Sequence, residues 1–147
     1  MDERKWFVDE EEIPPLRVQR EGSSAVAFIR TLFDPETTGT ANAVLGTMTI
    51  PPGQSEPMVP HAHSEYEESE YVVKGEGYLL LGPSRNELKR YELRPERAFF
   101  VPPGWPHCIA NTGSGEMKIA FSFYPAWVKG RTYREIATEL TDVKRST

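Results

Sequence analysis

A chain of 147 residues is long enough for one domain with a hydrophobic core and too short for two. Its net charge of −5, with no basic stripe carrying interleaved aromatic residues, argues against binding to nucleic acid or to an anionic membrane surface. With one cysteine, no signal-peptide core and no apolar run near the ~20 residues that span a bilayer, the chain is expected to be cytoplasmic.

Short strands are predicted along most of the chain, because thirteen prolines and eleven glycines interrupt it. Residues 1–20 are acidic and proline-containing, and are predicted to form an extended arm. Strand-like runs follow at 24–32, 43–50, 58–63, 68–74, 77–81, 87–93, 98–102, 107–111 and 117–124. Many short strands separated by turns are typical of an all-β sandwich or barrel.

The hydrophobic period changes near the C-terminus. Tyr133, Ile136, Ala137 and Leu140 recur at i, i+3, i+4 and i+7, and residues 132–135 have the form of a capping box. One C-terminal α-helix is therefore predicted to pack on the β core. The predicted organisation is an N-terminal arm at 1–20, a β-barrel domain at 21–128, and a C-terminal helix and tail at 129–147.

All three histidines of the chain fall within two spaced patterns. The first, H-x-H-x4-E-x6-G, runs from His61 to Gly75, and the second, P-x-G-x2-H-x3-N, runs from Pro102 to Asn111. An isolated H-x-H beside several glutamates is also what a solvated polar loop would show. The coincidence of every histidine with these patterns favours a metal site instead.

Metal ligation follows from the geometry of strands. Residues two apart on a strand face the same side, so His61 and His63 project into one space. Glu68 and His107 can join them from neighbouring strands of a closed sheet. We therefore expect the four side chains to hold one divalent metal ion.

The choice among the glutamates depends on the strand register set by the turn at Gly75. Period two then places Glu68, Glu70 and Val72 on one face, with Glu67 as the fallback ligand if the strand begins earlier. An inward Glu70 would be either a hydrogen-bond partner of a metal ligand or a proton-transfer group. A bulge at this point would instead expose Glu70 to solvent.

The two patterns resemble the paired motifs of the cupin superfamily over the region from Pro52 to Phe123. This resemblance implies a jelly-roll β-barrel with the metal inside the barrel, to which the C-terminal helix predicted from periodicity is added. The usual Gly-Asp pair of the second motif is replaced by Glu96-Arg97. We expect this replacement to alter the turn geometry without loss of the site.

The C-terminal half looks like that of the cupin-type glucose-6-phosphate isomerases. The resemblance rests on segments 101–103, 111–113 and 124–126, and on Trp105, His107, Gly130, Tyr133, Ile136 and Ala137. It implies the same four metal ligands and places Tyr124 near the substrate. The family has a tyrosine two residues after the ligand carboxylate, where this chain has Glu70.

The resemblance weakens at the segment that holds phosphate in that family. Threonine, lysine and glycine are replaced by Met58, Val59 and Pro60, which offer no side-chain donor, and proline lacks a backbone N–H. A phosphosugar substrate is therefore not expected. Arg131 could bind an anion, although an arginine before a helix is more often a solvated surface charge.

Four protein ligands on an octahedral ion leave two cis positions open. Fe(II), Mn(II), Ni(II) and Co(II) suit such a site, and Zn(II) suits it at lower coordination. We therefore expect an isomerase or lyase that transfers a proton on a small oxygen-rich metabolite, with Glu70 and Tyr124 as the candidate catalytic residues.

Two other functions stay open at this stage. A mononuclear non-haem iron dioxygenase would need the same open positions, and Phe99, Trp105, Phe121 and Phe123 could supply an apolar lining. The third function is a non-catalytic cupin that binds or senses a small molecule. Cupins commonly associate through sheet edges, so a homodimer is expected.

Overall fold

The computed structural model describes residues 6–19, 23–36, 38, 40, 42–53 and 60–125. The predicted C-terminal helix, Arg131 and the boundary between 128 and 129 lie outside the described residues, as do Met58 and Val59. Within the described residues, no helix is long and apolar enough to cross a membrane.

Two antiparallel sheets account for the described fold, which is all-β as expected. The strands are β1 (Leu16–Gln19), β2 (Val26–Phe33), β3 (Val44–Ile50), β4 (Glu67–Lys74), β5 (Gly77–Leu81), β6 (Lys89–Leu93), β7 (Ala98–Val101), β8 (His107–Asn111) and β9 (Met117–Tyr124). The larger sheet has the order β1-β2-β3-β9-β4-β7, and the smaller has the order β6-β5-β8. A single 3-10 turn, Glu10–Glu12, precedes them.

The core between the sheets has two parts. One cluster takes buried side chains from both sheets, including Ile50, Val72, Leu79 and Ile119. The other cluster consists of Val44, Tyr66, Phe121 and Phe123, at the end of the barrel where β3 and β4 begin and β9 ends. Inward and outward residues alternate along β4 and β9, as expected for strands with one buried face.

Two predictions about the strands differ from the structure. β1 was not predicted, and the strand predicted at 58–63 is not present as a regular strand in its described part. Only Val18 of β1 is buried, and the strand is defined by its antiparallel pairing with β2, the next strand along the chain. In the predicted strand at 58–63, His61 forms a single bridge with His107, and residues 54–59 lie outside the described part. The other predicted strands are confirmed with boundary shifts of a few residues.

Two turns fix the register of β4. Gly75 has a φ of 92°, and a Cβ at this position would lie 2.6 Å from the Cα of Met117, so only glycine fits. At the turn before β7, Glu96 has a φ of 73° and donates its backbone N–H to the carbonyl of Val72 at 2.9 Å. Glu96 thus adopts the left-handed conformation that glycine favours, at the position where the family pattern has glycine.

The N-terminal arm is anchored on the outer face of the larger sheet. Glu10 accepts a hydrogen bond of 2.6 Å from the Thr47 hydroxyl and pairs with the ammonium of Lys118. Arg30 donates from Nε to the carbonyl oxygen of Ile13 at 3.0 Å. Burial raises the pKa of Glu10, but hydrogen bonds from Lys118 and Thr47 outweigh it and leave the pKa below its usual value.

Candidate metal centre

The three histidines converge on one point near the end of the barrel. Nitrogen atoms of His61, His63 and His107 lie within 4.8 Å of one another. The segment carrying His61 reaches the start of β8 through a pair of backbone hydrogen bonds between His61 and His107, of 2.9 and 3.0 Å. This bridge brings the two sequence patterns together.

Glu68 completes the cluster from β4. One carboxylate oxygen lies 3.0 Å from Nε2 of His63, and the other lies 3.5 Å from Nε2 of His107. Glu68 is 4% exposed, whereas its neighbour Glu67 is exposed, so the register predicted from Gly75 is confirmed. Three imidazoles and a carboxylate with their nitrogen and oxygen atoms aimed at each other fit a divalent metal ion of the first transition series.

Each of two imidazoles is oriented by a contact at its second nitrogen. Nδ1 of His107 lies 3.0 Å from the carbonyl oxygen of Trp105, which can only accept, so this nitrogen carries the proton and Nε2 is the one available for a metal. Nδ1 of His63 lies 2.8 Å from the hydroxyl oxygen of Tyr66.

The pKa values of the two inward carboxyl groups of β4, Glu68 and Glu70, are shifted in opposite directions. Burial alone would raise the pKa of Glu68, but hydrogen bonds from His107 and His63 outweigh it and hold the pKa well below its usual range. Burial also raises the pKa of Glu70, and here the charge of Glu68 and a hydrogen bond to it act in the same direction, so this pKa lies well above its usual range.

Glu70 faces the barrel interior. It is 7% exposed and lies opposite Phe121 on β9 and Phe99 on β7. Its Oε2 atom is buried and has no hydrogen-bond partner among the described residues. Of the alternatives left by the sequence, a solvent-exposed Glu70 is excluded, while the other two are consistent with this placement.

Tyr124 is not brought together with the metal cluster. It lies at the end of β9 opposite the exposed Glu67, and its neighbour Phe123 is the residue that faces Glu68 across the strands. Period two therefore directs Tyr124 to the outer face, where it is 57% exposed. The place that the resemblance gave it, near the substrate, has no support from this geometry.

A row of aromatic rings forms one wall of the cluster. The Tyr66 ring stacks on the His63 imidazole with centroids 4.5 Å apart, Phe123 lies 4.7 Å from Tyr66, and Phe121 lies 5.1 Å from Phe123. Gly46 makes room for this row, because a Cβ there would lie 2.4 Å from the Phe121 ring. Of the other two predicted lining residues, Phe99 packs against the cluster formed by both sheets and Trp105 is half-buried.

Tyr66 is the residue of this site that the sequence patterns did not identify. It occupies one of the unspecified positions of H-x-H-x4-E, and its neighbours in sequence are exposed or half-buried glutamates. Its aromatic character in an acidic segment was the available signal. The contact with His63 depends on the path of the loop between His63 and β4.

Comparison with known proteins identifies the family. The family model described as "Cupin domain" matches residues 46–124, which is more than half of the chain. The chain belongs to the cupin superfamily. A solved structure titled as a predicted oxalate decarboxylase from Thermotoga maritima superposes on this cupin with a TM-score of 0.67 and 22% identity, over 81% of this chain and 98% of that one, which supports the jelly-roll fold.

Sequence relatives of this cupin include glucose-6-phosphate isomerases. The protein of that name from Thermococcus litoralis is 30% identical over 142 residues, covering 92% of this chain and 72% of the relative. The one from Thermococcus gammatolerans is 36% identical over 66 residues, covering 45% of this chain. That match spans about a third of the relative's length, 34%.

Proposed function

We propose that this cupin is a metal-dependent enzyme of the isomerase or lyase type, which transfers a proton on a small oxygen-rich metabolite. The observation that carries the proposal is the pair of carboxyls on one face of β4. Glu68 points at two imidazoles, and Glu70 lies beside it, buried and with one oxygen lacking a described partner. The similarity to proteins named glucose-6-phosphate isomerase supports the same class of reaction.

The side chains at this site have three different roles. His61, His63, Glu68 and His107 would hold one divalent ion, which would polarise a carbonyl or hydroxyl oxygen of the substrate and so acidify the neighbouring C–H bond. Once the ion offsets the charge of Glu68, which helps to raise the pKa of Glu70, an ionised Glu70 would accept that proton and return it to the adjacent carbon. Its Oε2 atom has no hydrogen-bond partner among the described residues. The aromatic row excludes water from the same space.

The substrate is expected to be unphosphorylated. Among the described residues, no lysine or arginine is buried, so the barrel interior offers no fixed cation for a phosphate group. Pro60, next to the first metal histidine, has no backbone N–H to donate. A hydroxycarbonyl compound or a free sugar fits these conditions better than a phosphosugar does.

The test is deuterium exchange into candidate hydroxycarbonyl substrates by the metal-loaded protein. Glu70→Gln should lower the exchange rate by roughly 10²–10⁴, the range typical of a lost general base, while keeping the metal content of the wild type. Glu67→Gln is the matched control, since Glu67 is an exposed glutamate of the same strand, and it should exchange like the wild type. Tyr124→Phe should do the same, because Tyr124 lies on the outer face.

The result for Glu70→Gln distinguishes a role of Glu70 in proton transfer from a role in holding a metal ligand in place. An unaltered exchange rate would remove Glu70 from the mechanism. A 10–100-fold loss of metal affinity, with exchange restored at saturating metal, would show that Glu70 instead supports a metal ligand.

A mononuclear non-haem iron dioxygenase is the second candidate, and the aromatic row is the observation that favours it. Phe121 and Phe123 are suited to an apolar substrate next to the metal. Oxygen consumption by the Fe(II)-loaded protein, triggered by substrate, would support this function. Exchange that proceeds with Mn(II) or Zn(II), without oxygen uptake, would support proton transfer.

A homodimer and a cytoplasmic location remain predictions. The outer face of the larger sheet exposes Tyr71, Val73 and Phe100, each more than 40% accessible, which is suitable for association with a second copy. Analytical ultracentrifugation of the full chain would show a dimer or a monomer directly.

A further inference from the structure

Two of the metal-site histidines are held by partners of different chemistry. His107 is held by the carbonyl oxygen of Trp105, which belongs to the backbone and cannot be altered by a side-chain substitution. His63 is held by the hydroxyl of Tyr66, a side chain in the loop before β4. Of these two ligands, His63 is therefore the one whose second nitrogen contacts a replaceable side chain.

Tyr66 is itself fixed in position. It is 4% exposed, its ring lies nearly parallel to the His63 imidazole with an interplanar angle of 20°, and its other neighbour is Phe123, with centroids 4.7 Å apart. A tyrosine has few rotatable bonds, so packing on both sides leaves its hydroxyl little freedom. The hydroxyl oxygen then lies 2.8 Å from Nδ1 of His63, while Nε2 lies 3.0 Å from Glu68.

We infer that Tyr66 is a positioning residue for metal binding, which holds the His63 imidazole with Nε2 aimed at the ion. This inference rests on the proposed metal site. When Nε2 binds a metal ion, Nδ1 of a neutral imidazole carries the proton, and this N–H donates a hydrogen bond to the hydroxyl oxygen of Tyr66. A phenylalanine would keep the ring stack and remove that acceptor, leaving a buried N–H of His63 without the hydrogen bond.

The experiment is calorimetric titration of the metal-free 147-residue chain with Co(II), at a temperature well below the unfolding transition. Tyr66→Phe should weaken Co(II) binding by about 10–100-fold, the range for loss of a group that orients a metal ligand. The visible spectrum of the Co(II)-loaded variant should also change, because the His63 ring is less constrained around the ion.

Phe123→Leu is the matched control, because it disturbs the same aromatic packing and leaves the hydroxyl in place. If Tyr66 positions His63, Tyr66→Phe lowers Co(II) affinity more than Phe123→Leu does, and Phe123→Leu lowers the melting temperature of the metal-free protein more. Equal losses of affinity in both variants would show a merely structural role and overturn the inference.

The remaining outcomes also decide the question. Tyr66→Phe binding Co(II) as tightly as the wild type would overturn the role of Tyr66 and leave the metal site intact. A wild-type protein that fails to bind Co(II), Mn(II), Fe(II), Ni(II) or Zn(II) would overturn the metal site itself and the inference with it.

Discussion

Replacement of Asn111 tests the hydrogen bonds that hold β8, the strand that begins with His107, against the rest of the barrel. Asn111 ends β8, at the opposite end of the strand from His107, and is 1% exposed. Its amide nitrogen donates to the carbonyl oxygens of Ile50 at 3.0 Å, Pro51 at 3.2 Å and Gly115 at 2.9 Å, and its Oδ1 accepts from the backbone N–H of Gly113 at 3.0 Å. These bonds tie β8 to the end of β3 and to the turn before β9.

The cost of Asn111→Ala can be worked out from these contacts. The two amide protons lost are worth about 1 kcal/mol each. The Gly113 N–H keeps a second acceptor, the carbonyl oxygen of Glu76 at 3.1 Å, so loss of its hydrogen bond to Asn111 Oδ1 adds little. The vacated volume adds about 1 kcal/mol. The sum of about 3 kcal/mol corresponds to a fall in melting temperature of roughly 6–12 °C for a chain of this size.

The assay is thermal unfolding of the metal-free protein followed by circular dichroism. Asn86→Ala is the matched control, because Asn86 is exposed in the loop between β5 and β6, and its melting temperature should stay near that of the wild type. Co(II) affinity of Asn111→Ala, measured well below its transition, should also be unchanged. The reasoning is refuted if Asn111→Ala melts like Asn86→Ala, or if it loses metal affinity without losing stability.

Two further predictions follow from β4 and its neighbouring turn. Glu68→Gln should lower the metal content measured by elemental analysis, while Glu67→Gln should leave it near the wild-type level, since Glu68 alone of the two faces the histidines. The reverse result would show that the register assigned to β4 is wrong by one residue. Glu96→Gly should raise the stability by about 0.5–1 kcal/mol in denaturant unfolding, because relief of the left-handed conformation exceeds the added chain entropy. A loss of stability in Glu96→Gly would contradict the strain assigned to that turn.

The sequence by itself predicted which side chains would cluster and which glutamates of β4 would face the barrel interior. The two sequence patterns grouped the histidines, and the turn at Gly75 fixed where the alternation of side chains along β4 begins. The inward placement of Glu68 and Glu70 follows from these local rules, and the structure shows both residues buried. Period two along β9 also predicts an outward Tyr124, in agreement with its exposure in the structure.

Contacts between separate segments of the chain decided the rest. β1 became a strand only by pairing with β2, since just one of its four residues is buried and its sequence has little strand character of its own. Tyr66 became a partner of His63 because the loop before β4 and the end of β9 enclose it, and no local pattern records that enclosure. Local spacing fixes which way a side chain points along a strand, whereas tertiary packing alone determines which group it meets there.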